Sequence, residues 1–280
     1  MAFERAGRSI LITGCSSGIG AYCAQALHRQ GWQVFATARK SEDIAALQAR
    51  GLSAHYLDYT EPASIEALVE DVLRQTSGKL DALFNNGAYA QPGAVEDLPV
   101  EALRAQFEAN FFGWHDLTRR IVPVMRAQGH GRIVHCSSIL GLVPMKWRGA
   151  YVASKFAIEG LMLAQRMELE GSGIDVSLIE PGPIASRFTY NAAMHAQAVI
   201  DMEASVHREL YQRQMEKLKT GGTKSKNKLG PEAVYDVLLH ALEAPRPRPH
   251  YAVTRPAKLG ILARRLMPAR WLYRMLSEQS

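Results

Sequence analysis

The chain has 280 residues, of which 47% are apolar and 21% charged. That length buries about 75% of the unfolded surface without help from disulfides or metals, and the composition excludes a disordered or low-complexity chain. Three cysteines, Cys15, Cys23 and Cys136, show no CxxC spacing, against both a disulfide framework and a zinc site, so no metal is expected. No apolar run approaches the ~18–20 residues of a membrane span. The N-terminal residues lack the long apolar segment of a signal peptide, so a cytoplasmic protein is expected.

The net charge of +6 is unevenly placed. Residues 245–280 hold seven arginines and Lys258 against one acid, Glu278, a net +7 that leaves the first 244 residues at −1. A nucleic-acid binder needs its cations spread over a reading fold with aromatics for stacking. Neither is visible, so no nucleic-acid partner is expected.

The pattern alternates strands and helices. Residues 9–13 form a short strand-like run, followed by Ile19, Tyr22, Cys23, Ala26 and Leu27 at helical spacing, with Gly31 as a stop. Residues 33–37 and 53–58 read as the next strands. Ile65, Leu68, Val69, Val72 and Leu73 then mark an amphipathic helix, with Thr60 as N-cap and Pro62 in its first turn. Residues 81–85, 132–136, 174–179 and 251–254 read as further strands. The alternation predicts a Rossmann-type, doubly wound α/β fold: a parallel sheet in three layers, as one domain over residues 1–255, with 256–280 as a basic amphipathic tail. Such a sheet binds ligands beyond the carboxyl ends of its strands.

Just after the first strand, Gly14, Gly18 and Gly20 give GxxxGxG in Thr13-Gly-Cys-Ser-Ser-Gly-Ile-Gly20. Gly14 permits a tight turn, Gly18 lets the backbone approach a pyrophosphate and Gly20 allows close packing, while the helix start offers free N–H donors. A phosphate-loop ATPase would need GxxxxGK[ST], which is absent. An NAD site places an acid at the end of the second strand. Here Arg39 and Lys40 follow instead, which favours the 2′-phosphate of NADP (NADPH); the competing reading is a pair of solvated turn charges.

Tyr151 and Lys155 stand at i, i+4 on one helix face. A nearby cation lowers a phenol's pKa, which would let Tyr151 exchange a proton with a carbonyl or alcohol. Ser137 and Ser138 follow a strand, Ser138 lying 13 residues before the tyrosine, where a hydroxyl can hold a carbonyl oxygen. Asn110 lies on an apolar stripe with Leu103, Phe107, Phe111 and Trp114. Its buried amide needs partners: a neighbouring main chain, a water behind the lysine, or both.

Together, the 13–20 glycine turn, Asn85-Asn86-Gly87-Ala88, Asn110, Ser138, Tyr151 with Lys155, and Pro181-Gly182-Pro183-Ile184 resemble the short-chain dehydrogenase/reductase family in its compact single-domain form. The similarity is greatest to the NADP-dependent retinol and 17β-hydroxysteroid dehydrogenase-like group and to bacterial aldehyde reductases. The resemblance implies that Tyr151 is the general acid/base, that Ser138 stabilises the substrate oxygen, that Lys155 binds the nicotinamide ribose and that Asn110 holds a relay water. It further implies cofactor contacts from Gly14, Ser16, Ser17, Gly18, Ile19, Gly20, Asn86, Gly87, Pro181 and Gly182, with Asp58 on the adenine, the Ile184 backbone on the carboxamide and Ser186 where a threonine is commoner. The usual NNAG is inverted to Asn-Asn-Gly-Ala. The function implied is hydride transfer between NADP(H) and a lipophilic aldehyde, ketosteroid or retinoid-like compound, by a homo-oligomer.

Residues 183–230 read as a substrate lid rich in apolar side chains, including Phe188. These either line a pocket or pack the lid down; Tyr89, Met145 and Trp147 would complete such a pocket. The polar stretch at 220–228 reads as mobile. In the tail, Leu259, Leu262, Leu266, Trp271 and Leu272 are interleaved with arginines. That pattern suits docking on the domain or on a second subunit, with membrane-surface contact as the other reading. A non-catalytic NADP sensor and a membrane-recruited scaffold are the rival functions.

Overall fold

The computed structural model describes residues 7–219 and 228–278, the side chains of 217–219 excepted; most of the polar stretch at 220–228 lies outside the described residues. The strands are β1 (Ser9–Ile12), β2 (Gln33–Ala38), β3 (Ser53–Tyr56), β4 (Ala82–Asn85), β5 (Gly131–Cys136), β6 (Ile174–Pro181) and β7 (His250–Val253). They form one sheet in the order β3-β2-β1-β4-β5-β6-β7, parallel throughout. Strand order reverses at β1, where Ile10 pairs with Val34 of β2 on one side and with Ala82 of β4 on the other. All four residues of β1 and of β4 are buried, as parallel strands covered on both faces must be.

Helices α1 (Gly18–Arg29), α2 (Ser41–Gln48), α3 (Pro62–Gln75), α4 (Val100–Phe107), α5 (Gly113–Gln128), α6 (Gly149–Glu168), α7 (Phe188–Val199), α8 (Arg208–Lys219) and α9 (Glu232–Glu243) alternate with the strands or build the lid. Two more, α10 (Arg255–Leu266) and α11 (Ala269–Glu278), form the tail. In α1 the apolar spacing puts Cys23, Ala24 and Leu27 into the core and the chain reverses at Gly31, whose φ is +87°. In α3 the same logic buries Ile65, Leu68, Val69 and Val72.

Two local expectations need correction. The residue at the N-cap position of α3 is Glu61, without a side-chain cap, and Pro62 is the first helical residue. Thr60 does not cap the helix, because its N–H and hydroxyl both donate to Asp58 Oδ1 at 2.9 Å. That turn also ends β3 at Tyr56, two residues short of Asp58. Second, Leu103 and Trp114 do not share one helical stripe. A π-helical turn over Glu108–Phe112 separates α4 from α5, leaving Leu103 exposed and Trp114 fully buried. Within that turn Asn110 is fully buried, in keeping with the frequent occurrence of such turns at functional sites.

Candidate active site and cofactor cleft

The glycine turn and the 85–88 turn are locked together at the switch point. Gly14 and Gly18 have φ of +68° and +59°, the left-handed region that favours glycine. A Cβ on Gly14 would fall 2.5 Å from the Gly87 Cα, and one on Gly20 would collide with the Gly14 carbonyl. The joint is polar. Thr13 Oγ1 accepts from the Asn86 and Gly87 N–H groups at 2.8 and 3.0 Å, and the Tyr59 hydroxyl lies 2.8 Å from both Thr13 Oγ1 and Asn85 Oδ1. Asn86 Nδ2 donates to the Thr13 carbonyl at 3.0 Å, and the Trp114 indole donates to the Gly87 carbonyl at 2.8 Å. Thr13 opens the glycine motif in the chain, whereas Tyr59, which the sequence pattern does not pick out, and Trp114, expected only on an apolar stripe, are brought to it by the fold.

The start of α1 suits an anion. Ser17 at the N-cap makes no side-chain cap bond, and the first turn has no acidic residue, so its N–H groups and positive dipole end are uncompensated. Ser16, Ser17 and Ile19 lie in this turn. Across it, a Cβ on Gly18 would sit 3.1 Å from the Ser186 Cβ, so the glycine turn meets the segment after β6. Arg39, at the end of β2, is 65% exposed and stands 3.8 Å from Asp58 Oδ2. Lys40 beside it is exposed at the start of α2.

At the end of β5, Ser138 is buried and its Oγ accepts from the Leu140 N–H at 3.1 Å. Tyr151 is buried on α6, its ring edge-on to Phe188 at 5.5 Å between centroids. Burial pushes the Tyr151 phenol above its ordinary pKa, the Cys136 thiol adds to the rise, and the Ser138 hydroxyl opposes it. Lys155 is buried on the same helix, α6. The lysine is close to the phenol ring. Its Nζ donates to the Cys136 carbonyl at 2.8 Å, 4.2 Å from the Trp114 ring centroid and 5.7 Å from that of Tyr151. Asn110 brackets one residue: its Oδ1 accepts from the Tyr89 N–H at 3.1 Å and its Nδ2 donates to the Tyr89 carbonyl at 2.8 Å. The main-chain role expected for this amide is therefore present.

At the end of β6, Pro181 is buried, and just after it the Gly182 N–H donates to the Val253 carbonyl at 3.1 Å. Ile184 bridges to Leu229, tying the lid's two ends together. The four residues expected to form a pocket divide. Phe188 and Tyr89 stay near Tyr151 and Asn110, the Tyr89 ring stacking obliquely on His195 at 4.7 Å. Trp147 instead lines a cavity of about 170 Å³ with Pro92, Arg148, Ala193, Met202 and Tyr211. Met145, half exposed, lies with Trp147 on a neighbouring groove of about 230 Å³ that Leu276 of the tail also lines.

A cluster not foreseen lies behind Lys155. Glu159, one turn further along α6, is buried beside the fully buried Glu180 of β6 and the 41% exposed His250 of β7. His250 Nδ1 is 2.5 Å from Glu180 Oε1 and 3.8 Å from Glu159 Oε2. One ligand atom from each lies within 4.8 Å of the others, so the trio has the donors a cation would use. Protonated His250 supplies a positive charge there without one. Burial pushes the Glu159 carboxyl up to about 7, against the opposing influence of the nearby Ser137 hydroxyl and of His250.

A family model described as short chain dehydrogenase matches residues 8–197. The Escherichia coli protein named "Uncharacterized oxidoreductase YbbO" is 39% identical over 270 residues, covering 96% of this chain and 94% of that one. Retinol dehydrogenase 8 of Bos taurus is 36% identical over 193 residues, 65% of this chain and 60% of that one. A crystal structure of a short-chain dehydrogenase from Streptomyces avermitilis superposes with a TM-score of 0.76 at 26% identity, covering 98% and 96% of the two chains.

Proposed function

The chain belongs to the short-chain dehydrogenase family, and from that premise we propose that it is an NADPH-dependent carbonyl reductase acting on lipophilic aldehydes, ketosteroids or retinoid-like compounds. The carrying observation is the burial of Tyr151 beside Ser138, with Phe188, Leu140 and Ala192 as its apolar surround. NADPH, when bound, supplies the hydride. The start of α1 and the Asn86–Gly87 turn would hold its phosphates and ribose, and Arg39 the 2′-phosphate. Tyr151 donates its proton to the substrate carbonyl oxygen, which the Ser138 hydroxyl holds in place. Tyr151 carries its proton at neutral pH, as reduction requires. Lys155, whose Nζ lies 5.7 Å from the Tyr151 ring centroid, would hold the nicotinamide ribose. Asn110 holds the Tyr89 backbone and, in the same reading, a relay water. The apolar lid and the Trp147 cavity support a lipophilic substrate.

Val100, Leu103 and Phe112 are exposed on the α4–α5 face at 57%, 39% and 50%. That patch supports association with a second copy, which a mass measurement by light scattering tests.

The reading is tested by following NADPH loss with a series of aldehydes and ketones, in the wild type and in Tyr151→Phe. The variant should lose at least about a hundredfold in turnover, the lower end of the general-acid contribution, while binding NADPH within about twofold of the wild type. Substantial turnover in the variant would show that the proton comes from another group.

A further inference from the structure

The tail is anchored on one side and open on the other. Thr254 Oγ1 accepts from the Ala257 N–H at 3.3 Å, and Ala257 and Leu272 are buried against the body. Arg264 donates to the Leu142 carbonyl and lies 5.3 Å over the Phe156 ring, while Lys146 donates to the Ser277 carbonyl at 2.9 Å. The docking expected of the tail is thus present. The outer face of α10 nonetheless carries Leu259, Leu262 and Leu266 at 65%, 51% and 70% exposure, continued by Trp271 at 67%. No charged residue of opposite sign interrupts it: Arg255, Lys258, Arg265 and Arg270 are all exposed beside those leucines. The segment's single acid, Glu278, is at the far end and paired with Arg274.

We propose that this face is a membrane-contact surface for anionic lipid. Apolar side chains at helical spacing, rimmed by cations and ended by a tryptophan, match the interface of a bilayer rather than water or a protein core. The charge decides between occupants. In a two-fold dimer the patch would meet itself, placing cation against cation with no acid to compensate. A sheet of anionic headgroups supplies the missing charge, and its acyl region takes the leucines. No helix among the described residues is long and apolar enough to cross a membrane, so the contact is peripheral. The groove shared by Met145, Trp147 and Leu276 lies at the junction of tail and lid, so contact through the tail brings the lid side close to the lipid. The surface itself does not depend on the reductase reading.

The test is co-sedimentation of the full chain with vesicles of phosphatidylcholine alone and of phosphatidylcholine with phosphatidylglycerol, at low and high salt. Binding is expected to the anionic vesicles, weakening as salt rises, and reduced at least tenfold in the double variant Leu262→Glu/Trp271→Ser. Because both positions are exposed, the variant's melting temperature should match the wild type's, which separates loss of contact from loss of fold. Trp271 is the one exposed tryptophan of the four, so anionic vesicles should shift the emission of the wild type to the blue but not that of Trp271→Phe. No binding to anionic vesicles at low salt, or equal binding by the double variant, overturns the proposal. So does a concentration-dependent dimer that the double variant abolishes while vesicle binding stays absent, since the face would then belong to a second copy.

Discussion

Lys155 donates to the Cys136 carbonyl at 2.8 Å from a fully buried position, so its charge is carried inside the protein with few compensating groups. Burial lowers its pKa to about 8, against the smaller opposing pull of Cys136 and Glu159. Between about 8 and the ordinary lysine value of 10.5 the unfolded chain binds more protons than the folded one. Stability therefore rises with pH across that window, and the cost of the buried charge is fully present below it. Lys155→Met should raise the melting temperature at pH 7 by a few degrees, with the gain shrinking toward pH 10, while turnover is lost. A larger loss of stability at pH 7 than at pH 10 would show that the amine stabilises the fold.

Glu159 gives the opposite pH signature. Its carboxyl is raised from 4.5 to about 7, chiefly by burial, so between those values the folded state binds the extra proton. Stability then falls as pH rises through the window. His250, raised mainly by its hydrogen bond to Glu180, adds in the same direction, its contribution being present below the ordinary histidine value and lost as pH rises. Glu159→Gln should leave the melting temperature nearly unchanged at pH 4.5 and raise it by several degrees at pH 8. Thermal scans across that range check this, and equal shifts at both pH values would contradict it.

Arg39 is the sharpest test of cofactor choice. Its exposed guanidinium, 3.8 Å from Asp58, can give a 2′-phosphate charge-assisted hydrogen bonds worth about 1.5–3 kcal/mol, or about ten- to a hundredfold in affinity. Arg39→Asp should swing kcat/KM from NADPH toward NADH, and the wild-type preference should shrink as ionic strength rises. An unchanged ratio would move the 2′-phosphate contact to another residue.

Thr13→Val tests the joint between the two turns. The nearly isosteric valine removes an oxygen that accepts from the Asn86 and Gly87 N–H groups, while the Tyr59 hydroxyl keeps Asn85 Oδ1 at 2.8 Å as its acceptor. Each buried donor left alone costs about 1–3 kcal/mol. The melting temperature should fall by several degrees and KM for the cofactor should rise more than kcat falls. A KM unchanged alongside a lower melting temperature would confine Thr13 to stability.

Motifs of short span were legible in the sequence. The glycine turn, Ser138, the Tyr151/Lys155 pair and the strand–helix alternation depend on spacing within one turn or one element, which local backbone geometry translates directly into position. The parallel sheet followed from the same alternation, since a crossover helix leaves parallel pairing as the compact solution. What tertiary packing alone decided were contacts between distant segments and the direction of long side chains. Glu159, Glu180 and His250 come from three elements that meet only when β6 pairs with β7. Thr13, Tyr59 and Trp114 converge only across the switch point. The π-helical turn that holds Asn110 leaves no mark in apolar periodicity, and Lys155 reaches the Cys136 carbonyl because a buried ammonium takes the nearest acceptor. Met145 and Trp147, two residues apart in the chain, share the groove that Leu276 of the tail lines, and Trp147 alone of the two also reaches the cavity under the lid. Spacing sets which residues can meet; burial and the competition for hydrogen-bond partners set which of them do.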